Sequence, residues 1–273
     1  MTLSLWLITM CGLGLLAGSV VNCVTWRLPV MLQQQAQREW LQLSGLLPPE
    51  EKGQARFNLF LPRSCCPCCR SPLAFYHTIP LLSWLLLKGR CHRCQHRISW
   101  RYPLVELVAA LCSGWIAYCW PPGETAFALA LSTWLLIALT AIDIQHMQLP
   151  DLLTLPLLWL GLLTNLKGAL VPLNEAVIGA VAGYLSLWLL FWGFKLATGK
   201  EGLGYGDLKL LAALGAWCGW QRLPTLLLYA AFMGILAVLL LRLAGRSMQD
   251  NPLPFGPCLA LSGWWLLVTP SVT

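Results

Sequence analysis

The sequence predicts an all-α polytopic membrane protein with about eight transmembrane helices and a small polar insertion after the first helix. Hydrophobic residues make up 58% of the 273 residues and charged residues only 11%, whereas a soluble domain averages about a quarter charged residues. The apolar residues are gathered in runs, several of them close to the roughly 20 residues that a helix needs to cross a bilayer. This composition excludes a soluble globular domain.

Eight apolar runs are the predicted spans, of which the sixth is short. They cover residues 2–24, 104–120, 125–142, 152–166, 176–194, 208–220, 225–241 and 253–268. The first run could also be a secretory signal peptide, but no basic residue precedes it and its first positive charge, Arg27, follows it. We therefore predict a true membrane span whose N-terminus lies outside.

The distribution of basic residues predicts the orientation of these spans. The stretch 25–103 holds 11 of the 18 Lys and Arg residues but only three acidic residues, so the positive-inside rule places it in the cytoplasm. Threading the spans from there puts 143–151, 195–207 and 242–252 on the same side and both termini in the periplasm. This topology accounts for the net charge of +7, and we expect no nucleic-acid partner.

Three regions follow from this pattern. Residues 1–24 form the first transmembrane helix, residues 25–103 a cytoplasmic insertion, and residues 104–273 a membrane body of seven helices. The first part of the insertion is polar and interrupted by prolines, with a possible short amphipathic helix at 32–43.

Four cysteines in the insertion have the spacing of a tetrahedral zinc site. Cys66 and Cys69 form one Cys-x-x-Cys pair, and Cys91 and Cys94 form the other; two such knuckles supply four thiolates to Zn²⁺. A reducing cytoplasm disfavours disulfides here. Because four protein ligands leave no open position, we expect a structural Zn²⁺. Two alternatives stay open, the register Cys65–Cys68 for the first pair and cysteines that bind no metal.

Carboxylates at the membrane boundary are the candidate catalytic groups, because ionisable side chains are costly within spans. Asp143 continues the third span in "LLIALTAIDIQHMQLPD" without a capping context. Asp151 follows a proline at the start of the fourth span, which predicts a helix N-cap. Glu106, near the start of the second span, stays open between a structural and a functional role.

The stretch "EGLGYGDLKLL" places Asp207 among glycines at the start of the sixth span. A helix N-cap is the structural interpretation of this carboxylate. Gly204 and Gly206 favour a functional one, because their missing Cβ atoms let another backbone or an extended peptide approach. A nucleotide-binding glycine loop is discounted, since that motif needs a strand–turn–helix context.

The predicted topology places Asp143 and Asp207 on the same, cytoplasmic side of the membrane. Two carboxylates brought together from separate helices share one proton, because both cannot ionise cheaply at short distance. One carboxylate then takes a proton from water while its protonated partner polarises a peptide carbonyl. The predicted chemistry is peptide hydrolysis by an aspartic dyad.

Several motifs together resemble the type IV prepilin leader peptidases, which also serve type II secretion. The similarity runs through "AGSVVNCVTWRLP" at the end of the first span, "SCCPCC" and "CHRC" in the insertion, and "ISWRYPLVEL" after it. It continues through "IDIQHMQLPDLLTLPLLWLGLL" and through "EGLGYGDLKLLAALGAW", which carries the Gly-x-Gly-Asp pattern of membrane aspartic proteases.

This resemblance implies an aspartic peptidase of the bacterial inner membrane that acts at the cytoplasmic face, with Asp143 and Asp207 as the catalytic pair. Its substrates would be prepilins or pseudopilins, cleaved after a glycine that ends a short basic leader. The resemblance also implies N-methylation of the new N-terminal residue with S-adenosylmethionine as donor, for which no residue pattern indicates a binding site. The oligomeric state is left open.

Two other classes of function remain as alternatives. A transporter or channel would use Asp143 and Asp207 as a proton or cation relay, but it would leave the cysteine pairs and the glycines without a purpose. A zinc-stabilised membrane scaffold without catalysis is the third interpretation.

Overall fold

The computed structural model describes residues 2–45, 58–59, 68–69, 81–200, 202, 204–244 and 253–269. Within this part of the chain the backbone forms helices, loops, two 3₁₀ turns and one isolated antiparallel bridge between Arg90 and Arg97. The all-α fold class is therefore confirmed. The helices are α1 (Leu3–Leu43), α2 (Leu82–Leu86), α3 (Arg101–Cys119), α4 (Glu124–His146), α5 (Asp151–Thr164), α6 (Leu173–Thr198), α7 (Tyr205–Cys218), α8 (Leu223–Leu243) and α9 (Gly256–Val268).

Each predicted span falls on one of these helices. Among the described residues, five segments are long and apolar enough to cross a membrane: α1, α3, α4, α6 and Trp220–Leu243, which contains α8. Helices α5, α7 and α9 have 14, 14 and 13 residues, which is about 20 Å at 1.5 Å per residue and less than the roughly 30 Å of a hydrocarbon core. The chain is a multi-pass membrane protein that contains three short helices.

Helix α1 continues well past the predicted end of the first span at residue 24. It has 41 residues and contains Pro29, and at 1.5 Å per residue it is about 60 Å long, twice the hydrocarbon thickness. The segment predicted as a separate amphipathic helix is the last part of α1. Composition alone did not reveal this continuity, because the sequence becomes polar and proline-containing after residue 24 while the helix continues.

The chain divides into two compact units, Met1–Leu7 with Ser113–Thr273, and Ile8–Cys112. In the first unit α7 lies at the centre, with α5, α6 and α9 packed against it. Apart from Lys209, its side chains from Asp207 to Cys218 are buried. The helix that begins beside Asp207 is thus part of the core of the unit.

Glycines bring α6 and α7 into backbone contact. A Cβ at Gly179 would lie against the carbonyl oxygen of Gly215, and a Cβ at Gly215 would lie against that of Gly179. One turn along α6, a Cβ at Gly183 would come within 2.7 Å of the carbonyl oxygen of Leu211. Small residues four apart are a common way for membrane helices to pack closely, and here they hold α7 against α6.

At the far end of α7 from Asp207, buried polar groups tie the helix to its neighbours. Trp217 donates its indole N–H to the carbonyl oxygen of Leu157 at 2.9 Å. The fully buried Asn165 donates to the carbonyl oxygen of Ala216 at 3.0 Å and accepts from the N–H of Leu170 at 3.1 Å. These bonds fix the C-terminal end of α7. Its N-terminal end, where Asp207 lies, is at the edge of the core.

In the second unit, Glu106 of α3 is buried against α1. A Cβ at Gly18 would lie 2.6 Å from the Cα of Glu106. The carboxyl group of Glu106 accepts from the N–H of Leu81 at 2.8 Å and is hydrogen-bonded to the side chains of Ser19 and Asn22. Glu106 therefore has a structural role, joining α1, α3 and the residue that precedes α2.

Candidate active site

Asp143 lies near the C-terminal end of α4, in its last turn. The helix ends at His146 and is closed by Met147, whose backbone is left-handed (φ 54°) and whose N–H donates to the carbonyl oxygen of Asp143. The side chain of Asp143 is 6% exposed. The last turn of α4 thus fixes the backbone of a buried carboxylate next to the linker that leads to α5.

Asp207 is the third residue of α7, at the opposite, N-terminal end of its helix. The N-cap is Gly204, which has no side chain to form a cap hydrogen bond. The Asp207 carboxylate instead reaches back to the backbone of Gly204, and the Asp207 N–H donates to the Gly204 carbonyl oxygen at 3.1 Å. Asp207 is therefore not the N-cap residue but lies three positions after it. Its carboxylate still bonds to the backbone at the helix start, as the acidic residue of a capping box does.

A third element, the start of α9, completes this end of the first unit. The backbone of Gly256, the first residue of α9, is hydrogen-bonded to the Asp143 carboxylate. Leu149 of the α4–α5 linker lies between two glycines, because a Cβ at Gly206 would be 2.7 Å from its Cβ and a Cβ at Gly256 would be 3.3 Å from its Cδ1. Helices α4, α7 and α9 therefore converge around one leucine.

Within this convergence the two aspartates are close enough for their charges to act on each other. Asp207 is 9% exposed, so both carboxylates lie in surroundings of low polarity. Asp207 also acts electrostatically on the thiol of Cys258, two residues into α9. Two interacting, mostly buried carboxylates from different helices can hold one proton between them, which is the arrangement that activates water in aspartic peptidases.

The three glycines before Asp207 have different surroundings. A Cβ at Gly202 would be 2.7 Å from the ring of Phe194, and the hydrogen atoms of Gly206 face Leu149. At Gly204 the nearest atom to a Cβ would be the Asp207 carboxylate at 3.5 Å, which is an ordinary contact. A side chain at 202 or 206 would therefore meet another residue, whereas among the described residues Gly204 has only an ordinary contact beside it.

Asp151 has a different role from the predicted N-cap. The N-cap of α5 is Pro150, and no side chain caps the helix. Both carboxylate oxygens of Asp151 accept hydrogen bonds from Lys209, at 2.7 and 2.8 Å. This half-exposed ion pair joins the start of α5 to the first turn of α7, beside Asp207.

Three of the four predicted zinc ligands lie together. The sulfur atoms of Cys69, Cys91 and Cys94 are all within 4.8 Å of one another. The Cys91 N–H donates to the carbonyl oxygen of His96, and the Gln95 N–H donates to that of Cys91. This tight turn points two thiols toward Cys69 and forms a group that could hold a metal ion.

The fourth predicted ligand, Cys66, lies outside the described residues, as does Cys65 of the alternative register. Cys68 is described and exposed, and it is not part of the cysteine group. Participation of Cys69 agrees with the register Cys66–Cys69.

Sequence reasoning missed Gly256 and Leu149 as parts of this site. The pattern that could have indicated Gly256 is "PFGP" at the start of the last apolar run, where a glycine lies between prolines and a helix begins. Nothing in the sequence indicated a role for Leu149, since leucine is common throughout this apolar chain. Neither contact can be inferred from local spacing, because each joins residues about 50 to 110 positions apart.

The sequence matches the Type IV leader peptidase family over residues 130–239 and the Bacterial Peptidase A24 N-terminal domain over residues 13–120. It is 54% identical over 255 residues to the prepilin leader peptidase/N-methyltransferase of Aeromonas salmonicida (strain A449), covering 93% of this chain and 88% of the relative. Proteins of the same name from Stutzerimonas stutzeri and Pseudomonas aeruginosa are each 50% identical, covering 94% of this chain and 88% of each relative. No solved structure matches the chain.

Proposed function

Because this chain belongs to the type IV leader peptidase family, we propose that it is a membrane aspartic endopeptidase and N-methyltransferase. It removes the basic leader from type IV prepilins or type II secretion pseudopilins by cleaving after the leader glycine, and it methylates the new N-terminal residue. The observation that carries the proposal is the pair Asp143 and Asp207, buried at one end of the first unit and acting on each other's charge.

The proposed peptidase step uses the two carboxylates as an acid and a base. The ionised carboxylate removes a proton from a water molecule, whose oxygen attacks the carbonyl carbon of the leader glycine. The protonated carboxylate donates to the carbonyl oxygen as negative charge develops there. The C–N bond then breaks, and a proton from the dyad goes to the leaving amine, which becomes the new N-terminus.

The surroundings of Asp207 support a place for the substrate backbone beside Gly204. Gly204 is exposed, and the only described side chain within 4 Å of its Cβ position is that of Asp207, at 3.5 Å. An extended peptide can therefore approach the dyad there without meeting a side chain. In this proposal Gly204 borders the substrate, whereas Gly206 acts in the active-site backbone by packing against Leu149.

N-methylation is supported by the names of the relatives, which are each called a prepilin leader peptidase/N-methyltransferase. S-adenosylmethionine is the expected donor and supplies the methyl group that the new α-amino nitrogen receives. Among the described residues, buried side-chain polar atoms all have hydrogen-bond partners. None of these groups is assigned to the donor, and no step of the transfer is derived.

The proposed metal is a structural Zn²⁺ held by Cys66, Cys69, Cys91 and Cys94. The grouping of the last three sulfur atoms supports it, and thiolates are ligands that Zn²⁺ prefers. A fully protein-bound ion would cross-link the two knuckles of the insertion, which has too few buried apolar residues to form a large core.

The proposed location is the bacterial inner membrane, with both termini in the periplasm and the dyad and the insertion on the cytoplasmic side. The basic residues concentrated in 25–103 support this orientation. The up-and-down order of α4 to α9 also supports it, since the end of α4 and the starts of α7 and α9 share one end of the unit. The lipid bilayer and the prepilin or pseudopilin substrates are the proposed partners.

The dyad is tested with Asp143→Asn and Asp207→Asn in purified full-length protein. Each variant should cleave a candidate prepilin at least about 1,000-fold more slowly, because neither half of the pair can replace the other. Mass spectrometry after incubation with S-adenosylmethionine reports the cleavage site and methylation together. Methylation of an already processed substrate should persist and serves as the control for folding.

Cleavage at the normal rate by either folded variant would refute the dyad. Loss of proton-coupled transport with intact cleavage would instead favour a relay role for the same residues.

The metal is tested by elemental analysis of the purified protein. About one Zn²⁺ per chain is expected, and it should be lost in Cys91→Ser with Cys94→Ser, because two sulfur ligands cannot hold the ion tightly. Cys119→Ser is the matched control, since this cysteine lies in α3 outside the cysteine group. Wild-type protein that contains no zinc and is fully active and stable would contradict the proposal.

A further inference from the structure

The start of α9 is formed by Phe255, Gly256 and Pro257, and it lies beyond the residues 130–239 that match the family. A helix start has backbone N–H groups without partners in the helix. The N-cap residue, Phe255, supplies no side-chain hydrogen bond. The partner of Gly256 is instead the carboxylate of Asp143, which comes from α4. One of the two proposed catalytic groups therefore caps a helix more than 100 positions away in the sequence.

The Asp143 carboxylate can approach the backbone of residue 256 closely only because Gly256 has no side chain. A Cβ there would lie against Oδ2 of Asp143. The backbone of Gly256 is not in the left-handed region, so conformation alone does not call for glycine. The bare Cα lets the N–H come close enough to the carboxylate to hold it.

Pro257 makes this start rigid. It occupies one of the first two positions of α9, where a missing N–H removes no helical hydrogen bond and the ring fixes φ near −65°. The direction of the preceding N–H is thus set by the helix. The Asp143 carboxylate is held from one side by α4 and from the other by a preorganised donor.

We infer that Gly256 is a positioning residue of the peptidase, which orients the Asp143 carboxylate toward Asp207 through its N–H and its bare Cα. The inference rests on the proposed catalytic role of the two aspartates. It makes the start of α9 the third component of the site, beside the end of α4 and the start of α7.

Gly206 offers the contrast that tests this inference. A Cβ at Gly206 would meet only Leu149, at 2.7 Å, whereas a Cβ at Gly256 would meet both Leu149 and the Asp143 carboxylate. Replacing Leu149 with glycine removes the Cβ that a side chain at Gly206 would meet, so it removes the first conflict and leaves the second. A positioning role for Gly256 and a packing role for Gly206 therefore respond differently to the same second substitution.

The experiment measures prepilin cleavage by Gly256→Ala and Gly206→Ala, each with and without Leu149→Gly, and by Leu149→Gly alone, in the purified full-length protein. Gly256→Ala should lower kcat by about 100-fold, because a shift of about 1 Å in a catalytic group has an effect of that size. Its KM should stay within about twofold, since the substrate is not bound by Gly256. Leu149→Gly should raise the activity of Gly206→Ala to about that of Leu149→Gly alone and should not do so for Gly256→Ala.

Gly234→Ala is the matched control. This glycine lies in α8 beside the same part of α9, and its Cβ would be 3.9 Å from the sulfur of Cys258, an ordinary contact. It should cleave at the wild-type rate. Methylation of a processed substrate reports whether each variant is folded.

A stability measurement covers the case in which Gly256→Ala does not fold well. If the conflict is with the Asp143 carboxylate, the fall in Tm caused by Gly256→Ala should be smaller in an Asp143→Ala background than in the wild type. The difference between the two falls should be about 2 °C or more. Wild-type kcat in Gly256→Ala, restoration of its activity by Leu149→Gly, or equal Tm shifts in both backgrounds would each overturn the inference. If Asp143→Asn and Asp207→Asn are inactive in the same assay, such a result leaves the proposed function intact.

Discussion

The two aspartates of the proposed dyad lie in one site but are held in opposite ways. Asp207 is anchored within its own helix, since its carboxylate reaches back three residues to the backbone of Gly204. Asp143 is anchored by a different helix, through the backbone of Gly256. The first anchor forms whenever α7 forms, whereas the second exists only when α4 and α9 are packed together.

The helices that carry the two aspartates are also packed differently. Helix α7 is held against α6 by glycine contacts such as that between Gly179 and Gly215. Helix α4 is held by side chains, including a hydrogen bond of 3.0 Å from the indole of Trp264 in α9 to the hydroxyl of Thr133. The position of the Asp207 carboxylate is fixed by a contact within its own tightly packed helix. The position of the Asp143 carboxylate is fixed by a contact between two helices. The geometry of the pair therefore depends mostly on α4 and α9.

The largest effect is expected from the glycine contact that holds α7. Gly179→Ala places a methyl group against the carbonyl oxygen of Gly215, and because backbone atoms cannot move aside cheaply, the free energy of unfolding should fall by about 1–3 kcal/mol. Gly193→Ala in the same helix is the control, since no described residue lies within 4 Å of its Cβ position. Thermal unfolding in detergent measures both variants. Equal effects would mean that helix propensity, and not the contact with α7, decides the result.

A smaller effect should separate the two anchors. Asp143→Ala leaves the Gly256 N–H without a partner at a buried helix start, whereas Asp207→Ala frees the N–H of the exposed Gly204, which water can reach. Both variants remove a buried carboxylate, so this contribution largely cancels in their comparison. Asp143→Ala should be less stable than Asp207→Ala by about 1 kcal/mol. The reverse order in a denaturation experiment would show that the tertiary anchor is the weaker one.

The sequence predicted the helices well, since they are expressed in local patterns. Each of the eight apolar runs falls on a helix, and the scarcity of acidic residues near the membrane drew attention to Asp143 and Asp207. The repeated Cys-x-x-Cys spacing identified three cysteines that the structure brings together. Helix α1 contains the predicted first span and extends beyond it, because composition changes at residue 24 while the helix continues to Leu43.

The partners of these groups were predicted less well. Asp151 was expected to cap α5 and instead pairs with Lys209 of α7. Gly206 was expected to clear space for a substrate, and its space is filled by Leu149. In both cases a local rule predicted one role, but a residue distant in the sequence occupies the side chain or the space that this role would have needed.

By itself the sequence determined the family, the helical class and which residues are candidates for the chemistry, because hydrophobicity, charge and ligand type are properties of single residues and short runs. Only the tertiary structure decided how that chemistry is held: which glycines face a neighbouring backbone, which helix start meets Asp143, and which cation meets Asp151. These contacts depend on distances of a few ångströms between residues far apart in the chain, and such distances are set only when the helices pack.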